Sequence, residues 1–269
     1  MHSTTAGDVI MKRTLILGFG LASLTILPAA AADLPVKARP ALPPIVTVYN
    51  WSGCYIGGNA GGKWASTSDD VNIGATTSTA STTVGFGRST VGTFVGGGQI
   101  GCNWQAAGSN WVFGIEGDAD WQRWSASRTL GPALSPFVAG DTFDVRSDWQ
   151  ASARGRIGYA FDRTLFYLTG GAAFTNVKVG SNFIVAGIFP ATVASDSKTL
   201  LGATVGGGLE YAFTNNWSIG VEGRYTWYGT QTFNAGTVAT FSTPGAAVAF
   251  LTAPATQTIR LDTFEATAP

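Results

Sequence analysis

The segment WVFGIEGDADWQ, residues 111–122, is the stretch of sequence that decides the fold. Apolar and polar side chains alternate along it with a period of two, which is the side-chain period of a β-strand. One face is apolar and the other is charged, as expected of a strand that separates lipid from a polar lumen. The two faces carry Trp111, Phe113, Ile115, Ala119 and Trp121 on one side, and Glu116, Asp118, Asp120 and Gln122 on the other.

Short and long connections alternate along the rest of the chain. Seven further segments show the same period of two, and bacterial outer-membrane barrels combine such strands with short periplasmic turns and long outer loops. The sequence therefore predicts an all-β protein, an eight-stranded antiparallel up-and-down transmembrane β-barrel. The predicted turns are Ala106–Ser109, Phe161–Thr164 and Ala212–Asn215, and the predicted loops are Ser66–Thr90, Arg123–Ser147, Val179–Lys198 and Thr230–Ala255.

The eighth strand has the weakest pattern. Ile259 and Leu261 alternate with Arg260 and Asp262, but the alternation then dissolves towards Phe264 and a polar tail. We keep it as a strand because an open sheet of seven would leave unpaired backbone groups in hydrocarbon, each at a cost of several kcal/mol.

The first 48 residues are interpreted as export and linker sequence. Lys12 and Arg13 precede an apolar run that ends in alanines, which predicts a signal peptide over residues 1–32 and a mature start at Asp33. Met11 is an alternative start to Met1. Residues 33–48 are proline-rich and predict an extended periplasmic lead-in, and residues 49–269 predict the barrel.

Composition excludes several classes of function. The chain has 16 basic and 16 acidic residues, so neither nucleic acid nor an anionic surface is favoured as a partner. Its single histidine, His2, is removed with the signal, which excludes Ser-His and His-Asp hydrolases. Zinc is not expected with two cysteines and no histidine. We expect no cofactor and no enzymatic activity.

Aromatic residues cluster at the ends of the predicted strands. Two girdles of this kind are typical of the two membrane interfaces. Trp124, beside the second long loop, belongs to the same pattern. The principal interface aromatics are predicted to be Trp51, Trp64, Trp104, Trp111, Trp121, Trp149, Trp217 and Trp227.

Charged side chains occupy the opposite face of several strands. They could form an acid/base site, or an interior salt-bridge network, and we favour the network because an eight-stranded barrel is just wide enough for side chains to fill. Its predicted members are Glu116, Asp118, Arg154, Arg156, Glu210, Glu222 and Arg224.

The two cysteines, Cys54 and Cys102, lie at the start of the first strand and the end of the second. In an antiparallel pair both reach the periplasmic rim on the outward face, so a disulfide is predicted in that oxidising compartment. The alternative is two free apolar cysteines.

Two hairpins repeat one motif, N-W-x-x-G-[IV]-E-G, at Asn110–Gly117 and Asn216–Gly223. Together with GCYIGGNAGGKW, ARGRIGYAF and the mature start AADLPVKARP, these segments resemble the small outer-membrane β-barrel proteins of alphaproteobacteria. That porin-family group includes OmpA-like eight-stranded barrels and relatives described as haemin-binding.

The resemblance implies location in the outer membrane, contact with its lipid and insertion by the barrel-assembly machinery. We expect a monomer. Members usually end in an aromatic residue, whereas here Phe264 is followed by a tail to Pro269. A structural or surface-interaction role is favoured, with a small porin or a haemin receptor as alternatives; the loops indicate no particular extracellular partner.

Overall fold

The computed structural model describes residues 49–75, 80–129, 141–183, 192–241 and 250–269. The predicted signal and lead-in, residues 1–48, lie outside the described part. Each strand pairs antiparallel with its neighbours in sequence, and β8 pairs with β1 to close the barrel. Among the described residues, no helix is long and apolar enough to cross a membrane. The strands are β1 Gly53–Ile73, β2 Thr82–Gln105, β3 Trp111–Thr129, β4 Thr142–Phe161, β5 Thr164–Phe183, β6 Thr192–Ala212, β7 Ser218–Phe241 and β8 Phe250–Ala268.

The barrel has two halves of opposite polarity. We call the half next to the short turns the turn half (on β3, residues 111–122) and the half next to the long connections the loop half (on β3, residues 123–129). In the turn half, large apolar side chains such as Ile115 point outward and charged ones such as Glu116 point inward. In the loop half the order is reversed, so that Val145 and Phe233 are buried inside while hydroxyl and charged side chains point outward. The turn half therefore suits hydrocarbon, and the loop half suits water.

The loop half is divided into two sheets. The β2–β3 ladder extends from the turn only as far as Val95 and Gln122, and the β6–β7 ladder only as far as Ala203 and Trp227. Beyond these pairs, β7–β8–β1–β2 forms a first sheet and β3–β4–β5–β6 a second. Buried apolar side chains of both sheets share common cores, as the two inner faces of a β-sandwich do.

The four predicted long loops are wrong in extent. The strands have 19–24 residues and run through most of the segments assigned to loops. For example, β1 continues to Ile73 and β2 begins at Thr82. The sequence pattern does not reveal these strands because their outward residues, chiefly Ser, Thr, Gly and charged side chains, are also the residues that characterise loops.

The three short turns and the eighth strand are observed. β4 and β5 are joined by Asp162 and Arg163 alone, and Asp162 adopts a positive φ of 51°, which Asp tolerates better than most residues. β8 is a continuous strand and not a frayed one. The alternation of apolar and polar residues is hard to follow in the sequence of β8 because its inward residues change from Ile259 and Leu261 in the loop half to Thr263 and Glu265 in the turn half.

A gap in the wall remains at the turn end, between β1 and β7. β8 ends with Ala268 paired to Ala60 and Thr267 paired to Glu222. The Gly220 N–H donates to the Pro269 carbonyl at 3.2 Å. Residues 53–59 of β1 therefore pair with β2 alone among the described strands.

Candidate functional site

Arg154, on β4, lies at the centre of a layer of buried charged side chains inside the turn half. Its guanidinium binds Glu116 of β3, Glu222 of β7 and, at 2.9 Å, Asp118 of β3. Because β3 and β7 lie on opposite sides of the ring, these ion pairs join the two walls across the lumen. Arg154 and its three partners are all buried.

Two further arginines extend the layer. Arg224 of β7 reaches Asp118 at 2.8 Å, Glu265 at 2.7 Å and Asp120 at 3.3 Å. Towards the turns, Arg156 binds Glu210. Removing one member of such a buried network leaves its partners uncompensated, which is far more costly than losing a surface pair.

A tyrosine and a glycine support each of the two repeated glutamates. The ring of Tyr55 lies over Gly101 on the neighbouring strand, where an added Cβ would come within 2.5 Å of the ring, and its hydroxyl donates to Glu116. The second repeat has the same arrangement, with Tyr167 over Gly208 and its hydroxyl donating to Glu222 at 3.0 Å. The sequence repeat is therefore also a repeat in three dimensions.

All seven residues predicted for the charged layer lie in it. The structure adds Asp120 and Glu265, and the fully buried Lys63, whose ammonium donates to Gln150. The period of two already places Asp120 on the charged face of β3 with Asp118, and its ion pair with Arg224 makes it a member of the layer. Glu265 was missed because the alternation in β8 was obscured.

An apolar cluster, here called the plug, lies inside the barrel at the turn end, and Trp51 is part of it. Trp51 packs with Val112, Leu165 and Tyr167. Its indole N–H donates to the Asp162 carbonyl at 3.1 Å. The prediction of Trp51 as an interface aromatic is therefore wrong. The segment before β1 reaches the β4–β5 turn at Asp162, which places the Trp51 indole inside the barrel.

A second apolar cluster lies in the interior beyond the charges. Trp124 is buried there with Tyr228, Phe233 and Leu261, so its prediction as an interface aromatic is wrong. It follows Gln122 on the inward side of β3, where the interior changes from charged to apolar. Among the described residues, buried side chains thus form three successive levels inside the barrel: apolar, charged and apolar.

The outer wall of the turn half carries the remaining predicted interface aromatics. On β3, Trp111 and Trp121 are both exposed at the two ends of an apolar stretch. Ten residues at about 3.3 Å each, on a strand tilted by about 40°, give a band roughly 25 Å high, which matches an outer membrane. The other outward tryptophans are Trp64, Trp104, Trp149, Trp217 and Trp227.

The predicted disulfide is confirmed: Cys54 and Cys102 are bonded, with their Cα atoms 3.9 Å apart. They are directly paired residues of β1 and β2. The bond fixes the register of this hairpin at the turn end.

The fold and the charged lumen define an outer-membrane barrel protein, and comparison with known proteins agrees. The family model for the outer membrane protein beta-barrel domain matches residues 19–250, and the chain belongs to this family. It is therefore an outer-membrane protein of a barrel family and not an enzyme.

Its relatives include the 31 kDa outer-membrane immunogenic protein of Brucella melitensis, 34% identical over 214 residues that cover 77% of this chain and 83% of the relative. The 22 kDa outer membrane protein of Rhizobium leguminosarum is 30% identical over 71% of each chain.

Among solved structures, the chain is similar to the attachment invasion locus protein of Yersinia pestis, with a TM-score of 0.28 and 12% identity over 77% of this chain and 98% of that one. Neisserial surface protein A gives a TM-score of 0.26 and 12% identity, over 79% and 97% respectively.

Proposed function

We propose that the chain is a non-conducting outer-membrane protein with a structural or surface-interaction role. The observation that carries the proposal is that the Trp51 plug, the Arg154-centred charges and the Trp124 core follow one another along the barrel interior. An ion entering from either end meets packed side chains, and moving a charge through an apolar layer is costly.

The loop half supplies the interaction surface in this proposal. It extends the barrel beyond the aromatic band as two packed sheets with mostly polar outer faces, so the protein presents a β-sheet surface to the outside. Relatives named as immunogenic outer-membrane proteins support an accessible surface of this kind. The apolar wall would contact lipid, and insertion would use the barrel-assembly machinery.

Planar-bilayer recording of the purified, folded protein tests the proposal. We expect no discrete conductance steps, with folding verified by heat-dependent gel mobility of the same sample. Trp51→Ala serves as the diagnostic variant because it removes the plug while the charged layer stays. Reproducible steps in the unmodified protein, changed in size by Trp51→Ala, would establish a small porin instead.

A further inference from the structure

The charged layer inside the turn half contains more carboxylates than cations. The ion pair of Arg156 and Glu210 on its turn side is balanced. The other buried carboxylates belong to Glu116, Asp118, Asp120, Glu222 and Glu265, and the other buried cations to Lys63, Arg154 and Arg224. Two negative charges among these described residues therefore lack a compensating cation. Uncompensated charge between two apolar levels is costly, so a further positive group is needed there.

Three of the five carboxylates are fully hydrogen-bonded. Both oxygens of Glu116, Glu222 and Glu265 accept a hydrogen bond from a described side chain. Their donors are Arg154 and Tyr55 for Glu116, Arg154 and Tyr167 for Glu222, and Arg224 and Gln150 for Glu265. The uncompensated charge is therefore to be sought on Asp118 and Asp120.

Asp118 and Asp120 each have one oxygen that is bound and one that is not. The Arg224 guanidinium reaches Asp118 Oδ1 at 2.8 Å and Asp120 Oδ2 at 3.3 Å. Gln150 also donates to Asp120 Oδ2, at 3.0 Å. Asp118 Oδ2 and Asp120 Oδ1 are buried, and no hydrogen-bond donor reaches either of them. Arg224 thus binds one side of both carboxylates, and the other side of each is unpaired.

A glycine makes room beside the unpaired oxygen of Asp120. Asn59 of β1 pairs with Gly97 of β2, and Gly97 pairs with Asp120 of β3, so the three residues form one row. A Cβ on Gly97 would lie 2.4 Å from Asp120 Oδ1. The Asp120 carboxylate therefore leans over the glycine towards Asn59.

Two amide oxygens on neighbouring inward positions are also buried and unpaired. They are Oδ1 of Asn59, across Gly97 from Asp120, and Oε1 of Gln122, the next inward residue after Asp120 on β3. With Asp118 Oδ2 and Asp120 Oδ1 they make four unpaired oxygens on adjacent positions of β1 and β3. Carboxylate and amide oxygens are the ligands that Ca²⁺ and Mg²⁺ prefer.

The excess charge favours a divalent cation over protons. Asp118 accepts from two guanidinium groups, those of Arg154 at 2.9 Å and Arg224 at 2.8 Å, which hold its carboxylate ionised. A proton could therefore neutralise Asp120 alone, and this would remove only half of the excess. One divalent cation balances both charges and also binds the unpaired oxygens.

The ligand set is that of a hard cation with water in its coordination shell. Among the described residues, no three carboxylate, imidazole or thiol groups gather as a metal site. Two carboxylates with amide oxygens and water are typical of Mg²⁺ and Ca²⁺, whereas zinc prefers Cys and His.

We propose that Asp118 and Asp120 bind one hard divalent cation, Ca²⁺ or Mg²⁺, inside the barrel, with the amide oxygens of Asn59 and Gln122 and water as further ligands. The cation joins β1 to β3 across Gly97 and neutralises the charged layer. Apolar clusters lie on both sides of this layer along the barrel, so the ion enters as the barrel folds and exchanges slowly afterwards. The site is structural and goes beyond the proposed surface role.

The test compares protein refolded from urea into a neutral detergent with Ca²⁺ and with excess EDTA, at matched ionic strength. After desalting in EDTA, elemental mass spectrometry of the Ca²⁺ sample should find one equivalent of calcium per folded barrel. The equilibrium constant for unfolding should be at least tenfold lower with Ca²⁺, because a ligand that binds only the folded state stabilises it. Mg²⁺ is tested in the same way, and retention of either ion supports the site.

Asp120→Asn is the diagnostic variant. It removes one of the two uncompensated charges and a ligand, so it should retain no metal and its stability should not depend on Ca²⁺. It should also fold in EDTA, since half of the excess charge is gone. Asp148→Asn is the matched control, because Asp148 is nearly half exposed on the outside of β4. The control should retain one equivalent of metal.

Measurements on the unmodified protein decide the outcome even if Asp120→Asn does not fold. Failure to retain either ion, together with equal stability in Ca²⁺, Mg²⁺ and EDTA, overturns the proposal. Equal metal content in Asp120→Asn and the unmodified protein also overturns it, because the ion would then be bound elsewhere. Conductance is recorded separately, so failure here is distinguishable from failure of the non-conducting role.

Discussion

Glu116 and Glu222 hold the same guanidinium, that of Arg154, from opposite walls of the lumen. They are the equivalent glutamates of the two N-W-x-x-G-[IV]-E-G repeats. The hairpin repeat thus places two carboxylates where one arginine can bind both, so the charged layer links opposite walls of the barrel by ion pairs.

Arg154→Met should therefore destabilise the barrel strongly. It leaves Glu116, Asp118 and Glu222 buried together without their common cation, for which about 3–5 kcal/mol is expected. Urea unfolding in lipid, followed by tryptophan fluorescence, measures the change.

Lys178→Met is the matched control, because its 2.6 Å pair with Asp148 is nearly half exposed on each side. A change of at most about 1 kcal/mol is expected there. Equal effects of the two substitutions on the free energy of unfolding would contradict a stabilising role of the ion pairs across the lumen.

The tyrosine-on-glycine contacts predict a pair of steric effects. Gly101→Ala would place a Cβ 2.5 Å from the Tyr55 ring and 2.9 Å from the Ile115 carbonyl oxygen. Gly208→Ala would place one 2.5 Å from both the Tyr167 hydroxyl and the Val221 carbonyl oxygen, so each tyrosine must move away from its glutamate and the wall must shift as well. Overpacking of this kind costs about 1–3 kcal/mol at each site. Gly98→Ala, whose Cβ would lie 3.6 Å from its nearest neighbour, should be nearly neutral in the same unfolding assay. Loss of stability in all three variants would instead indicate a general need for glycine in the wall.

Asp69 makes the stability of the loop half depend on pH. Burial raises its pKa to about 6, opposed by Arg128 of β3 and assisted by Asp70 beside it. In the unfolded chain a typical Asp titrates near 3.9, so the folded state binds more protons between these values. Stability should therefore fall as pH rises from about 4 to about 6, by on the order of 2 kcal/mol.

Asp69→Asn should abolish that fall and stabilise the protein at pH 8 by a similar amount. Unfolding midpoints from pH 4 to pH 8 provide the measurement, with Asp144→Asn on an outward position of β4 as the control. A pH profile that Asp69→Asn leaves unchanged would show that this carboxyl is not the cause.

The turn half could be predicted from sequence, and the loop half could not, for one physical reason. In the turn half, alternation sets large apolar residues such as Ile115 against charges such as Glu116, and the contrast is strong. In the loop half the interior is apolar and the exterior carries hydroxyls. The alternation is therefore weak and inverted relative to the turn half, as where the inward Val71 is followed by the outward Asn72. The burial of Trp51 depended on Asp162, 111 residues away, which no local pattern reveals.

The gap between β1 and β7 predicts that a designed extension of β8 will stabilise the barrel. Five residues added after Pro269 would continue β8 along β1. The first would pair with Gly58 and the fifth with Cys54, and the side chains of the first, third and fifth would point outward. Val-Thr-Leu-Ser-Phe therefore puts apolar residues towards lipid and an aromatic at the level of the disulfide. Pairing backbone groups that otherwise face hydrocarbon should add at least about 2 kcal/mol and raise the folded yield in the outer membrane.

The control for this extension is Thr-Val-Ser-Leu-Phe, which keeps the composition and the final Phe but turns Val and Leu inward. The unfolding free energy and the heat-modifiable fraction are compared for the two extended proteins and the original. Only the first extension should improve both, because only it matches the apolar outside and polar inside of the turn half. Equal improvement by both would mean that the terminal aromatic residue, rather than strand pairing in the gap, is responsible.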